Sequence, residues 1–304
     1  MNVVALSGAI ELGLLYGLVA LGVYISFRVL DFPDLTADGS FPLGAAVAAT
    51  LIVKGVPPLL ATAIAVGAGI LAGCVTALLN VKFKILNLLA SILTMIALYS
   101  INLRIMGQPN VSLLGQSTLF TPLMPLLQAL PPWLGPPLVM GAIAVAAKFL
   151  LDWCLKTELG LALRATGANP VMAQAQGINT DRLILLGMGV SNGLIALAGA
   201  LFAQVNGFAD VTMGTGTIVL GLAAVIVGET LLPRLVWATG AALLGAVLYR
   251  LVVAIALQTK LFGLQSQDLN LITAVLVGLA LILPQVRGRQ VRGQKVWGRG
   301  RQQS

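Results

Sequence analysis

The sequence predicts an all-α, polytopic membrane protein. Of its 304 residues, 58% are hydrophobic and 9% charged, against about 25% charged in an average soluble domain. The mean hydropathy is +0.98, and apolar runs of membrane-spanning length recur along the chain. A surface of this composition suits lipid rather than water, which excludes an ordinary cytosolic enzyme.

A helix rises about 1.5 Å per residue, so crossing a hydrocarbon core of about 30 Å takes about 20 apolar residues. Nine segments are expected, over 4–27, 41–54, 58–80, 85–106, 136–155, 183–206, 216–232, 236–257 and 269–285. The first has no basic residue before it and no small-residue cleavage site after it, so it reads as a span rather than a removable signal peptide. The segments at 41–54 and 216–232 are short and broken by glycine, which predicts half-helices. Residues 1–286 form the membrane domain, and 287–304 a basic tail.

The basic residues orient these spans. Lys82 and Lys84 occupy one short connection, Lys156, Arg164 and Arg182 flank a second, and the tail carries Arg287, Arg289, Arg292, Lys295, Arg299 and Arg301. The positive-inside rule puts all three in the cytoplasm. Two spans separate the first pair of regions and four the second, both even, while three precede Lys82. The N-terminus is therefore expected outside and the C-terminus in the cytoplasm. The uncharged loop 107–135 falls on the outer face. The polar stretch 157–181 is cytoplasmic, and Ala162, Leu163, Ala165, Met172, Ala173 and Ala175 predict one or two short amphipathic helices broken at Asn169-Pro170. The tail holds six of the eight net positive charges. Interleaved with Gly and Gln, it is expected to be disordered at the anionic inner leaflet, each basic residue contributing about 1 kcal/mol. The positive excess thus reports orientation, and no nucleic-acid partner is expected.

Two stretches echo each other. Asp34-Leu35-Thr36-Ala37-Asp38-Gly39 leads into Leu43-Gly44-Ala45-Ala46, and Asp210-Val211-Thr212-Met213-Gly214 leads into Leu220-Gly221-Leu222-Ala223-Ala224. The chain reaches them from opposite sides of the membrane. They read either as inverted copies flanking a transport pathway or as two ordinary helix N-caps. On the first reading the pathway is lined near Asp34, Thr36, Asp38, Gly39, Asp210 and Thr212. Asn102, Lys148, Asp152, Asn192 and Arg250 fall inside spans, where an unpaired charge costs about 2.5–3.5 kcal/mol or more, so they should face protein or water. Lys148 and Asp152, four apart, are expected to pair or snorkel. Asn192 is expected to join helices.

Chemistry is absent from the motifs. The chain has no histidine, no cluster of metal ligands, no phosphate-binding Gly-x-x-x-x-Gly-Lys-Ser/Thr loop and no Gly-x-Ser-x-Gly elbow. Cys74 and Cys154 lie in apolar segments and read as separate buried thiols. No catalytic residue, metal or cofactor is expected. The chain reads as a conduit, driven by an ion gradient or by a separate ATPase.

The stretch Gly160-Leu161-Ala162-Leu163-Arg164-Ala165-Thr166-Gly167-Ala168-Asn169-Pro170, followed by Ala173, Ala175 and Gly177-Ile178-Asn179, resembles the cytoplasmic segment of ABC importer permeases of the branched-chain amino acid and ribose type. Ser191-Asn192-Gly193-Leu194 and Leu197-Ala198-Gly199-Ala200-Leu201 are similar to that family's following helix. Phe32-Pro33-Asp34-Leu35-Thr36-Ala37-Asp38-Gly39-Ser40-Phe41 is similar to the subgroup associated with tryptophan and related uptake. It departs from the Asn-Phe-Ala-His-Gly-like string of the branched-chain members. Val171-Met172-Ala173 stands where other ABC permeases carry Glu-Ala-Ala. The resemblance implies a cell inner-membrane permease for an amino acid or related compound, dimeric and most simply a homodimer. It also implies delivery by an extracytoplasmic binding protein and power from a cytoplasmic ATPase subunit. That subunit would be engaged through Gly160, Arg164, Ala165, Gly167, Asn169, Ala173 and Gly177. A secondary transporter or channel acting alone is the other class, and the scarcity of acidic residues weighs against it.

Overall fold

The computed structural model describes residues 3–123, 131, 133–231, 238–258 and 278. The helices are α1 Val3–Val23, α2 Ala37–Val53, α3 Pro58–Val81, α4 Asn87–Met106, α5 Gly135–Lys156, α6 Glu158–Ala168, α7 Pro170–Ala175, α8 Thr180–Asn206, α9 Thr217–Leu231 and α10 Ala238–Gln258. Among the described residues, six segments are long and apolar enough to cross a membrane: Val3–Val29, Pro58–Val81, Asn87–Met106, Gly135–Lys156, Thr180–Asn206 and Ala238–Ile255. The two Gly-broken segments form shorter helices, α2 with 17 residues and α9 with 15. The expected segment 269–285 and the tail 287–304 lie outside the described residues.

The first span does not end as an ordinary helix. Tyr24–Val29 forms a π-helical turn, with the Leu30 N–H donating to the Ile25 carbonyl at 3.0 Å. Asp31 then leaves in the left-handed region at φ 53°, a costly conformation for a residue with a Cβ. Helix α2 begins at Ala37, four residues before the apolar run, because its first turn is built from polar residues held by their neighbours. Within it, Pro42 has no N–H to offer the Asp38 carbonyl. Gly214 packs against that carbonyl, where an added Cβ would lie 2.1 Å from the oxygen.

One element departs from the all-α expectation. β1 (Asn110–Ser112) and β2 (Phe208–Asp210) form an antiparallel ribbon with Asn110 opposite Asp210 and Ser112 opposite Phe208. Both strands follow helices that end on left-handed glycines, Gly107 at φ 70° and Gly207 at φ 78°. Two helices therefore release their chains extended at the same end, and the freed amides pair. Strands of three residues carry no readable alternation, so the sequence holds no signal for them.

Helix α8 is the centre of the bundle. It packs on α2 and α3, and across to α1, which in turn packs on α9 and α10; α4 lies against α2 and α3, and α5 against α1. Without a strong hydrophobic drive between helices in lipid, close backbone approach sets these contacts. Gly69 and Gly73 of α3 face the Asn192 and Met188 carbonyls, where a Cβ would come within 2.6 and 2.2 Å. A Cβ on Gly44 of α2 would lie 2.0 Å from the Ala196 carbonyl oxygen, and one on Gly199 of α8 would lie 1.9 Å from that of Phe41. Phe41, wholly buried, stacks on Tyr16 and meets Phe202 edge-on. Apolar residues such as Leu71, Leu93, Leu150 and Trp153 are exposed on the outer helices, as expected of lipid-facing surface.

The polar groups inside spans have partners. Lys148 Nζ pairs with Asp152 at 2.7 Å, one turn apart, and Thr239 donates its hydroxyl to the same carboxylate. The Arg250 guanidinium lies 4.8 Å from the centre of the Tyr16 ring. Asn102 donates to the Gly39 carbonyl at 3.2 Å. Both cysteines are free thiols.

Gly199→Ala should lower the thermal midpoint of the detergent-solubilised protein by several degrees, as overpacking costs about 1–3 kcal/mol. Gly67→Ala, where a Cβ meets nothing within 4 Å, should leave it unchanged or raise it. A fluorescence-detected thermal melt of the two variants checks both.

Candidate functional site

The two echoed stretches share a local fold. Thr36 N–H donates to Asp34 Oδ1 at 2.9 Å, and Thr212 N–H donates to Asp210 Oδ1 at 2.7 Å. In each case the aspartate closes a turn over the threonine two residues on. Their surroundings then diverge.

Asp34 is 3% exposed. Its second oxygen accepts from Asn192 Nδ2 at 2.7 Å, and the Asn192 carbonyl oxygen accepts from Ser40 Oγ at 2.7 Å. The Thr36 and Thr76 hydroxyls lie 2.8 Å apart. A buried carboxylate needs such partners, and here they bind the unwound segment between α1 and α2 to the middle of α8 and to α3. Asn192 accordingly joins helices, with a carboxylate as its partner. Asp210 stands at the end of β2, where the Thr212 hydroxyl (2.5 Å) and amide and Asn110 hold its carboxyl below the usual carboxylate range.

Asp38, the second residue of α2, reaches across to the other broken segment. Its two oxygens accept from Gly216 N–H at 3.0 Å and Ile218 N–H at 2.8 Å, so it caps the N-terminus of α9. Helix starts leave unpaired N–H groups and a partial positive charge, and a carboxylate satisfies both. A cavity of about 390 Å³ opens beside this junction. Asp38, Gly39 and Thr212 line it, with Tyr99, Ser100 and Asn102 of α4. Of the six pathway candidates, these three come together. Asp34 and Thr36 sit in the closed cluster behind, and Asp210 stands on the ribbon. Sequence reading did not mark Tyr99, Ser100 or Thr215; the sole signal on that side was Asn102, a polar group in an apolar span.

At the other end of the bundle, α6 and α7 form a helical hairpin broken at Asn169-Pro170. Three caps define it: the Thr157 hydroxyl accepts from Gly160 N–H at 3.4 Å, Asn169 Oδ1 from Met172 N–H at 3.0 Å, and Asn179 Oδ1 from Arg182 N–H at 3.1 Å. Gly160 packs on the end of α5, where a Cβ would lie 2.4 Å from Leu155 Cα. Gly167 packs on the π turn, 1.9 Å from the Val29 carbonyl by the same measure. Ala173 is buried, and Gly177 turns the chain at φ 82°. Arg164 and Ala165 are exposed, as are Leu161, Val171 and Met172. The seven residues named for this loop thus divide into five that shape it and two that face outward. Nearby, Arg28 Nε donates to Glu229 at 2.9 Å, tying the π turn to the end of α9.

Residues 5–285 match the family model described as branched-chain amino acid transport system / permease component. The chain belongs to this permease family. It is 43% identical over 267 residues to a tyrosine transport system permease protein of Clostridioides difficile (strain R20291), covering 87% of the present chain and 86% of that one. An uncharacterized protein of Rickettsia prowazekii (strain Madrid E) is 40% identical over 221 residues, 73% and 75% of the two chains. The ribose import permease of Escherichia coli (strain K12) is 28% identical over 206 residues, 65% and 60% of the two chains. The comparison with solved structures returns no match. The protein is thus a multi-pass membrane permease and belongs to a transporter family rather than an enzyme class.

Asp38→Ala should destabilise the permease by about 1–2 kcal/mol, the usual loss on removing an N-cap, with Asp38→Asn losing less because one acceptor remains. Thermal melts of the two variants in one detergent check the order.

Proposed function

We propose that this permease is the membrane subunit of an ABC importer in the cell inner membrane, working as a homodimer. A separate ATPase would dock on its cytoplasmic face, and an extracytoplasmic binding protein would deliver the solute. The N-terminus lies outside and the C-terminus in the cytoplasm. The solute is an amino acid or a related small organic compound; the similarity to a tyrosine permease over most of both chains favours an aromatic one.

The observation that carries this reading is the α6–α7 hairpin. It presents Leu161, Val171 and Met172 to solvent beside Arg164, apolar surface outside the membrane that suits a protein partner. It also rests, through Gly167, on the π turn. A push on α6 is passed to Tyr24–Val29, then through the unwound residues to Asp34 and Asp38, and so to the start of α9. Nucleotide-driven closure of an ATPase thereby becomes a movement at the cavity.

The inverted repeat is part of the same proposal, with α1, α2 and α3 corresponding to α8, α9 and α10. Three parallels support it. The aspartate turns match; α8 packs on α2 and α3 as α1 packs on α9 and α10. Gly44 meets Ala196 of α8 while its counterpart Gly221 meets Val23 of α1. Opposed half-helices meeting beside a cavity are the arrangement that alternating access uses.

The test is ATP-dependent uptake of radiolabelled tyrosine by the permease co-reconstituted with the ATPase and binding protein encoded beside it. Arg164→Glu should cut uptake at least about tenfold without lowering the melting temperature, and Asn169→Ala should reduce both. Unchanged uptake in both variants overturns the coupling role. Uptake by the permease alone, driven by a proton or sodium gradient, overturns the ABC assignment in favour of a secondary transporter.

A further inference from the structure

The chemistry of the 390 Å³ cavity indicates which end of a solute it receives. Two half-helix N-termini converge there, and such an arrangement ordinarily makes an anion site. In this protein the site is already filled from within, since Asp38 occupies the α9 N–H groups of Gly216 and Ile218. What remains toward the cavity is the Asp38 carboxylate and the Asn102 amide, beside the hydroxyls of Tyr99, Ser100, Thr212 and Thr215. Asn102 is wholly buried and lines the cavity; its Nδ2 is committed to the Gly39 carbonyl, and its Oδ1 has no partner. A buried unpartnered amide oxygen costs about 1–3 kcal/mol, a cost that a donor arriving with the solute removes. No Lys or Arg is among the lining residues, so a carboxylate entering here would meet Asp38 without a cation to offset it. Pro42, Met95, Ile96 and Tyr99 supply an apolar and aromatic wall.

Building on the permease reading above, we propose that this cavity is a solute subsite that recognises a primary ammonium group. Asn102 Oδ1 and the Asp38 carboxylate accept from the ammonium, and the solute's apolar or aromatic body lies along Tyr99 and Met95. The subsite reads the ammonium end of an amino acid and leaves its carboxylate unrecognised. The volume suits an amino-acid-sized solute, and the aromatic face adds cation–π attraction.

Three probes separate the possibilities: tyrosine, tyramine, which keeps the ammonium and lacks the carboxylate, and 3-(4-hydroxyphenyl)propionate, which does the reverse. Saturation-transfer NMR on the full-length permease in lipid nanodiscs should show tyrosine and tyramine binding within about threefold of each other and the propionate not saturating up to about 10 mM. Asn102→Leu should weaken tyramine about tenfold, and Asn102→Asp, which restores an acceptor and adds charge, should not. The proposal is overturned if the propionate competes as well as tyrosine, if tyramine fails to bind, or if Asn102→Leu leaves tyramine affinity unchanged. Should Asn102→Leu fail to fold, the wild-type probe series and Asn102→Asp still decide. ATP-driven uptake measured in parallel distinguishes the two levels: uptake with no ammonium preference defeats the subsite alone, whereas no ATP-driven uptake defeats the permease reading on which it rests.

Discussion

The carboxylate of Asp38 joins the starts of the two short helices of this permease. It belongs to the first turn of α2, yet its hydrogen bonds are spent on Gly216 and Ile218 at the start of α9. Both helices begin on buried residues, Ala37 and Thr217, so their first amides need partners within the protein. One charged side chain answers for the second helix, and its own charge is answered by that helix's dipole. The position of the cavity, the close seating of Gly214 on the Asp38 carbonyl and the turn closed by Asp34 all depend on how these two starts are brought together.

Around that junction the polar groups are layered by depth. Asp34, Asn192, Ser40, Thr36 and Thr76 form a closed set in which nearly every donor meets an acceptor, and such a set rigidifies its surroundings. It fixes the unwound segment between α1 and α2 against α8. The cavity-facing set is left open by contrast, with Asn102 Oδ1 unpartnered. Satisfied groups define the frame, and unsatisfied ones mark where something else is accommodated. The α6–α7 hairpin meets this frame at the π turn, where Gly167 packs on the Val29 carbonyl.

Much of this was legible in the sequence. Hydropathy located the long spans because lipid demands about 20 apolar residues in a row, and the interruption at Asn169-Pro170 announced the α6–α7 break because proline removes a donor and asparagine caps the helix after it. The Asp-x-Thr echo was visible, and so was the oddity of Asn102 and Asn192 in apolar surroundings. Which groups those residues meet was not. Asp38 and Ile218 are separated by 180 positions, and Asp34 and Asn192 by 158; nothing local in either segment encodes its distant partner. The π turn and the short ribbon were also invisible, one being a single-residue change in helical pairing and the other too brief to alternate.

The glycine contacts restrict what can move. Gly44 and Gly199 interlock α2 with α8 through carbonyls on each side, and Gly228 and Gly245 do the same for α9 and α10, where a Cβ would stand 2.0 and 2.1 Å from the Ala241 and Ala224 carbonyls. Sliding either pair by one residue would drive a methyl group into an oxygen. Each half-helix is therefore keyed to one long helix, like two gear blocks without internal play. The Asp38 carboxylate is the side chain that spans the two keyed pairs.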